Sequence, residues 1–259
     1  MPRTVVSRVA TAARVALLLF LVLGPEAAAA STFTVNRIQV FLSPRAKSET
    51  LTVRNMSGGT LRFQLSVFAW DQTPQGEMAL APTRDIVFFP PLFMLAPGEE
   101  RTIRVGTVTP PAANEKTYRL FIEELPRLEG APPSGPPGEV TVRTRLGIPI
   151  FLRPPGQVSG GRLEALVLRD GRVSFEVRNT GNVHFVVQTI RITGHGAGGE
   201  TVVQGALEGW YILAGGTRIY ELELPPDKCP AVTAVSIEVQ TPQATFTERH
   251  DATPTACRR

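Results

Sequence analysis

Residues 140–155 read VTVRTRLGIPIFLRPP. The even positions Val140, Val142, Thr144, Leu146, Ile148 and Ile150 are apolar or β-branched, and Thr141, Arg143, Arg145 and Gly147 between them are polar or small. Alternation of period two over this length predicts a half-buried β-strand. Pro149 interrupts it. Proline has no N–H to give a ladder, so such a strand belongs at a sheet edge or a bulge. Apolar edges invite unwanted pairing and are normally suppressed. A chain that keeps one either buries the row in its own core or holds it for a partner, because an extended peptide can add to an edge through main-chain hydrogen bonds.

Outward from this strand the chain is punctuated by turns. RLEGAPPSGPPG (127–138) precedes it and reads as a mobile loop. Arg153-Pro154-Pro155-Gly156 follows and reads as a rigid joint between domains. No segment has helical periodicity. Strands are expected at 33–41, 48–55, 60–70, 85–89, 101–108, 117–125 and 139–152, then at 163–168, 172–178, 185–193, 200–206, 209–213, 217–224, 232–240 and 244–248.

The two halves resemble each other. TLTVRNMSG (50–58) matches VSFEVRNTG (173–181), and LAPGEERTIRV (95–105) matches LAGGTRIYEL (213–222). The same order at similar offsets points to two copies of one all-β unit. About seven strands in each half fits an immunoglobulin-like sandwich. The expected fold is all-β, with a processing segment over 1–30, one sandwich over 31–153 and a second over 154–259.

The chain has 259 residues, 42% hydrophobic and 19% charged, with a net charge of +4. Arg3, Arg8 and Arg14, the apolar run VALLLFLVL (15–23) and the small residues 27–30 form a secretory signal, too short to span a bilayer. Its removal takes away three arginines and one glutamate and leaves +2. No basic run suggests nucleic acid. Cys229 and Cys257 are the two cysteines. In an exported chain an even count favours one disulfide over two free thiols.

Several segments carry a family resemblance: FTVNRIQVFLSPRAKSETLTVRN (33–55), FPPLFMLAPGEERTIRV (89–105), TYRLFIEELP (117–126) and GIPIFLRPP (147–155). In this order they resemble periplasmic pilus-assembly chaperones of the PapD type, and VFAWDQ (67–72) with YRLFIEELP and IPIF is similar to the archaic branch. The second half is similar only in size and strand content. The resemblance implies two sandwiches joined at an angle, like a boomerang. It also implies strand lending, in which the strand ahead of the hinge completes a pilus subunit that lacks one. Val140, Val142, Thr144, Leu146, Ile148 and Ile150 would be the lent row, and Arg143 and Arg145 would face solvent.

The resemblance further implies that the subunit's C-terminal carboxylate docks between the domains on positive partners. Related chaperones carry an arginine in the first strand and a lysine four residues before the hinge arginine. Here those positions hold Gln39 and Pro149. Arg104 and Arg119 are the expected substitutes, with Arg37 a third candidate. Glu124 and Arg153 match an interdomain ion pair of the family. Pilus subunits and an outer-membrane usher are the implied partners, and the periplasm the implied compartment.

Other chemistries find no pattern. His184, His195 and His250 have no metal-ligand spacing, so no cofactor or metal is expected. His195 in TGHGAGG (193–199) reads as a turn, and no Lys-Ser/Thr follows to make a phosphate loop. There is no GxSxG and no CxxC. Trp70 and Trp210 are expected to pack in the two cores. Neither an enzyme nor a small-molecule binder is indicated. A subunit chaperone and an exported two-domain adhesin are the two classes that fit. Complete domains beside a loop-flanked edge strand favour the chaperone.

Overall fold

The computed structural model describes residues 32–126, 142–253 and 255–257. The secretory segment, the Pro/Gly-rich loop and Val140 lie outside the described residues. Ten strands build the first half: β1 (Phe33–Val35), β2 (Val40–Leu42), β3 (Ser48–Asn55), β4 (Leu61–Gln72), β5 (Met78–Pro82), β6 (Ile86–Phe89), β7 (Leu92–Leu95), β8 (Glu100–Thr107), β9 (Lys116–Glu124) and β10 (Arg145–Leu152). The second half has β11 (Gly161–Arg169), β12 (Arg172–Asn179), β13 (Phe185–Val186), β14 (Thr189–His195), β15 (Thr201–Glu208), β16 (Tyr211–Ile212), β17 (Thr217–Glu223), β18 (Ala234–Gln240) and β19 (Thr245–Asp251).

Among the described residues, strands of one half pair only within that half. In the N-terminal sandwich a sheet β1-β3-β8-β6 faces a sheet β2-β10-β9-β4-β5, with β7 also on β4. In the C-terminal sandwich β11-β12-β17 faces β15-β14-β18-β19, and β13 pairs with β16. Each sandwich encloses its own apolar core. Alternation sets which residues go in: Tyr118, Leu120 and Ile122 of β9 enter the core, and Thr117, Arg119 and Phe121 lie on the other face. Every buried aliphatic side chain contributes about 1.5–3 kcal/mol.

The expected strand at 33–41 is two strands. Val35 pairs with Val53 in one sheet and Val40 with Ile150 in the other, and Asn36–Gln39 makes the crossing. Of the expected strand at 139–152, residues 139–141 lie outside the described residues, and β10 begins at Arg145. β5 and β7 were not legible, the first because all its residues are exposed and nothing alternates.

The internal repeat has a structural counterpart. The buried Asn55 donates through Nδ2 to the carbonyls of Leu95 (3.0 Å) and Gly59 (2.7 Å), and its Oδ1 accepts from Ser57 N–H at 2.8 Å. Asn179 donates to Ile212 (3.0 Å) and Val183 (2.8 Å) and accepts from Gly181 N–H at 2.9 Å. The shared VRN segment thus meets the LA-x-G segment in both sandwiches, at its first residue in one and at the residue just before it in the other. Cys229, in a short 3-10 turn between β17 and β18, is bonded to Cys257 beyond β19. No helix among the described residues is long and apolar enough to cross a membrane.

Candidate functional site

β10 has one paired side and one partly open side. Glu124 N–H donates to Thr144 C=O at 3.0 Å, so the even-numbered residues of this strand turn their polar backbone groups toward β9. The odd-numbered residues turn theirs away, as Arg153 N–H shows by donating to Leu42 C=O at 2.9 Å. On that far side β2 covers only Ile150–Leu152, in parallel. Over Arg145–Pro149 no described strand pairs with it. The missing N–H of Pro149 falls on this open side, and the β9 ladder loses nothing by it. That is how a proline fits inside a long strand here.

The apolar row divides along the strand. Ile148 and Ile150 are 1% and 0% exposed and belong to the chain's own core. Leu146 is half-buried against the same core. Thr144 is exposed, and Val142 is 64% exposed, ahead of the ladder.

Arg119 lies on the outer face of β9, directly across from Pro149. It is only 6% exposed. Its Nη1 donates to the Gly147 carbonyl at 3.2 Å, and Nε and Nη2 have no partner. The guanidinium carbon sits 4.0 Å above the Trp70 ring and 6.0 Å from that of Tyr211. Burial lowers the Arg119 pKa from its ordinary value, and the Tyr211 phenol pulls it back up. Cation–π contact contributes about 0.5–2 kcal/mol, and each buried unpaired N–H costs about 1–3 kcal/mol, so the ring contact does not offset the loss. Nε and Nη2 form the side of the guanidinium that grips a carboxylate with two parallel bonds. The Trp70 indole N–H beside it is also buried without a partner.

Trp70, Phe151 and Leu213 form a small cluster with Phe41 and Tyr211, and it spans both sandwiches. Trp70 therefore packs in the joint between the domains, at the far end of β4, and Trp210 is 47% exposed; neither fills a domain core as expected. His184 stacks on Phe151 with centroids 3.7 Å apart. The buried Glu115 accepts from His184 N–H at 3.0 Å and lies 2.5 Å from His184 Nδ1. Asn182 Nδ2 donates to Ala113 (2.9 Å) and Gly156 (2.8 Å). A second contact is the β4–β5 turn, where Ile219 N–H donates to Pro74 C=O at 2.8 Å. Gly76 there has φ +86°, a left-handed conformation that favours glycine, and it lies against the Arg218 guanidinium, which a Cβ would meet at 2.7 Å.

The expected ion pair between Glu124 and Arg153 does not form. β9 and β10 are antiparallel, with Glu123 opposite Arg145 and Lys116 opposite Leu152, so the two residues stand at opposite ends, roughly 25–30 Å apart. Arg153 lies over Phe41 instead. The acidic residue at the joint is Glu115, and His184 is its partner. Arg104 points outward from β8 in the other sheet, between the core residues Ile103 and Val105, and does not share a site with Arg119. Arg37 is on the β1–β2 crossing, 4.0 Å from Glu49. His195 ends β14 and its Nε2 is 3.0 Å from Ser236 Oγ, so it is a strand residue and not part of a turn. No group of metal-ligating side chains occurs among the described residues.

Two facing sheets in each half, antiparallel except for the β2–β10 pair, define a two-domain β-sandwich with an open strand edge and a buried arginine at the joint. Residues 32–157 match the family described as "Pili and flagellar-assembly chaperone, PapD N-terminal domain", and the N-terminal sandwich belongs to that family. It is a family of chaperones and not of enzymes. Among solved structures the chain is similar to the CsuC–CsuE chaperone–tip adhesion subunit complex from archaic Csu pili of Acinetobacter baumannii, with 18% identity, 86% of this chain and 98% of that chain covered and a TM-score of 0.60. The Salmonella enterica SafA pilin–SafB chaperone complex matches with 18% identity, 86% and 98% coverage and a TM-score of 0.54. The class 5 fimbriae chaperone CfaA matches with 16% identity, 86% and 100% coverage and a TM-score of 0.54. No curated protein sequence matches the chain.

Proposed function

We propose that the chain is an exported, periplasmic chaperone of pilus subunits that works by adding the open edge of β10 to an incomplete subunit and hands the complex to an outer-membrane usher. Several observations support this reading. The N-terminal sandwich belongs to the pilus-chaperone family, and two of the similar structures are chaperone–subunit complexes. The side of β10 over Arg145–Pro149 is unpaired among the described strands. Val142, Thr144 and Leu146, with Val140 ahead of them, remain as the row a subunit can use. Val15–Leu23 and the Cys229–Cys257 bond suit export to an oxidising compartment.

The observation that carries the reading is the free Nε–Nη2 side of Arg119, buried next to that edge. It is the group that fits a subunit's C-terminal carboxylate. The arginine missing from the first strand and the lysine replaced by Pro149 leave their role to this side chain, one strand away. The test is co-expression with a pilin subunit and co-purification from periplasm. Arg119→Met keeps the stem over Trp70 and removes the charge; it should lower recovery of the complex at least tenfold with the melting temperature kept. Recovery equal to the parent chain would overturn the assignment of Arg119.

A further inference from the structure

Resting on the reading of β10 as the lent strand, we propose that the C-terminal sandwich sets this strand in place, with His184 as the positioning residue at its root. β10 is held unevenly. Over Arg145–Pro149 it has β9 alone among the described strands, whereas Ile150–Leu152 also has β2 on the far side. The open stretch therefore projects from a root at Ile150–Leu152, and what fixes the root fixes the edge. Phe151 is the side chain of that root on the outer face, opposite Thr117 of β9 and Phe41 of β2. It is fully buried, yet it stands outside the N-terminal core. Its cover comes from the other sandwich.

The His184 ring lies on Phe151 with the two planes 17° apart, and it also stacks on Phe41 at 6.4 Å, centroid to centroid. Stacking by itself lets a ring slide. Glu115 stops it. Its buried Oε2 accepts from the His184 backbone N–H and lies against Nδ1, so one carboxylate fixes both the main chain and the ring plane. Glu115 directly precedes Lys116, the β9 residue opposite Leu152. The end of the β9–β10 ladder is thus gripped from both strands through one histidine of the other sandwich. A buried polar pair of this kind adds little net stability, and its best use is to select one arrangement. A strand offered to another chain needs such selection, because a slip of one residue turns every side chain to the wrong face.

The test is amide hydrogen exchange, followed by NMR in the full, free chain. The amides of Leu146, Ile148 and Ile150 face β9, and those of Leu51 and Ile103 in the opposite sheet serve as the reference. His184→Ala should speed exchange of the β10 amides at least tenfold relative to the reference. Glu115→Gln, which keeps the size of the side chain, should do the same to a smaller degree and carries the test if His184→Ala does not fold. Val173→Ala loosens the C-terminal core away from the joint and should leave the β10 amides as in the parent chain. If His184→Ala and Glu115→Gln leave these amides unchanged, or Val173→Ala speeds them equally, the positioning role is overturned. Recovery of a co-expressed subunit by Val142→Asp tests strand lending separately. Full recovery there, with faster β10 exchange in His184→Ala, overturns lending and keeps the grip of His184 on β10. Lost recovery there, with unchanged exchange in His184→Ala, keeps lending and overturns the role of His184.

Discussion

Arg119 and Pro149 face each other across the β9–β10 ladder, and the Arg119 guanidinium reaches along the row to donate to the Gly147 carbonyl at 3.2 Å. That carbonyl lies on the open side of β10. One side chain therefore holds the strand edge with one nitrogen and keeps two others free at the domain joint. Gly147 leaves room for the neighbouring Phe121 ring, which a Cβ there would meet at 3.0 Å. The strand edge and Arg119 are in this way fixed to each other in register.

The division of the apolar row separates two outcomes that the sequence alone would equate. Val142→Asp and Thr144→Asp fall on exposed positions ahead of the ladder and should change stability by no more than about 0.5 kcal/mol. They should nevertheless abolish recovery of a co-expressed subunit. Ile148→Asp puts an unpaired carboxylate into a closed core and should cost about 3 kcal/mol or more, seen as loss of cooperative unfolding. Full subunit recovery by Val142→Asp would argue that this segment is not what the subunit contacts.

Asn55 and Asn179 should behave as a matched pair. Alanine at Asn179 takes the side-chain donor from the buried Val183 and Ile212 carbonyls, and alanine at Asn55 takes it from the buried Leu95 carbonyl and from that of Gly59, which also accepts from Ser57 Oγ, at about 1–3 kcal/mol for every group left unsatisfied. Urea unfolding of Asn55→Ala should show loss in the N-terminal sandwich, and Asn179→Ala the same loss in the C-terminal one. Unequal losses beyond about 2 kcal/mol would mean that the two networks are not equivalent.

Tyr118 gives the chain an alkaline limit. Burial first, then its hydrogen bond to Asp85 Oδ2 at 2.8 Å, raise its pKa above the ordinary value. The folded chain therefore keeps this proton at pH values where the unfolded chain, with a tyrosine pKa near about 10, releases it. The contribution is complete below about pH 10 and is lost as pH rises beyond it. Melting temperature should fall between pH 9.5 and 11, and Tyr118→Phe should remove most of the slope. An unchanged slope would assign the effect elsewhere, with the buried Tyr220, also raised by burial, as the next group to substitute.

Period-two alternation made most strands legible because their inner faces fill closed cores. It failed where neither face decides the residue type. β5, MALAP, is exposed throughout, and β7, LFML, is four residues beside two prolines. The break in 33–41 is marked by NRIQ, whose Asn36 Oδ1 accepts from Thr52 N–H at 2.8 Å, but its strand-forming neighbours hide it. Arg119 could be named from the resemblance, since it stands in YRLFIEELP. The joint could not. Its contacts come from loops 113–115 and 182–184 and from the tip of a hairpin, and no local pattern tells a loop what it will touch. The one available signal was His184, a histidine just past the repeated VRN where the first copy has none.

The hairpin tip resting on β17 has a consequence for recombination. Pro74, Gly76, Ile219 and Arg218 meet only if both halves descend together. A chimera that grafts a relative's carboxyl-terminal half onto this amino-terminal one keeps two intact cores, yet it forfeits the seam unless the graft carries residues suited to Glu115 and to the 73–77 turn. Exchanging halves to swap subunit preference therefore means transplanting the seam as well.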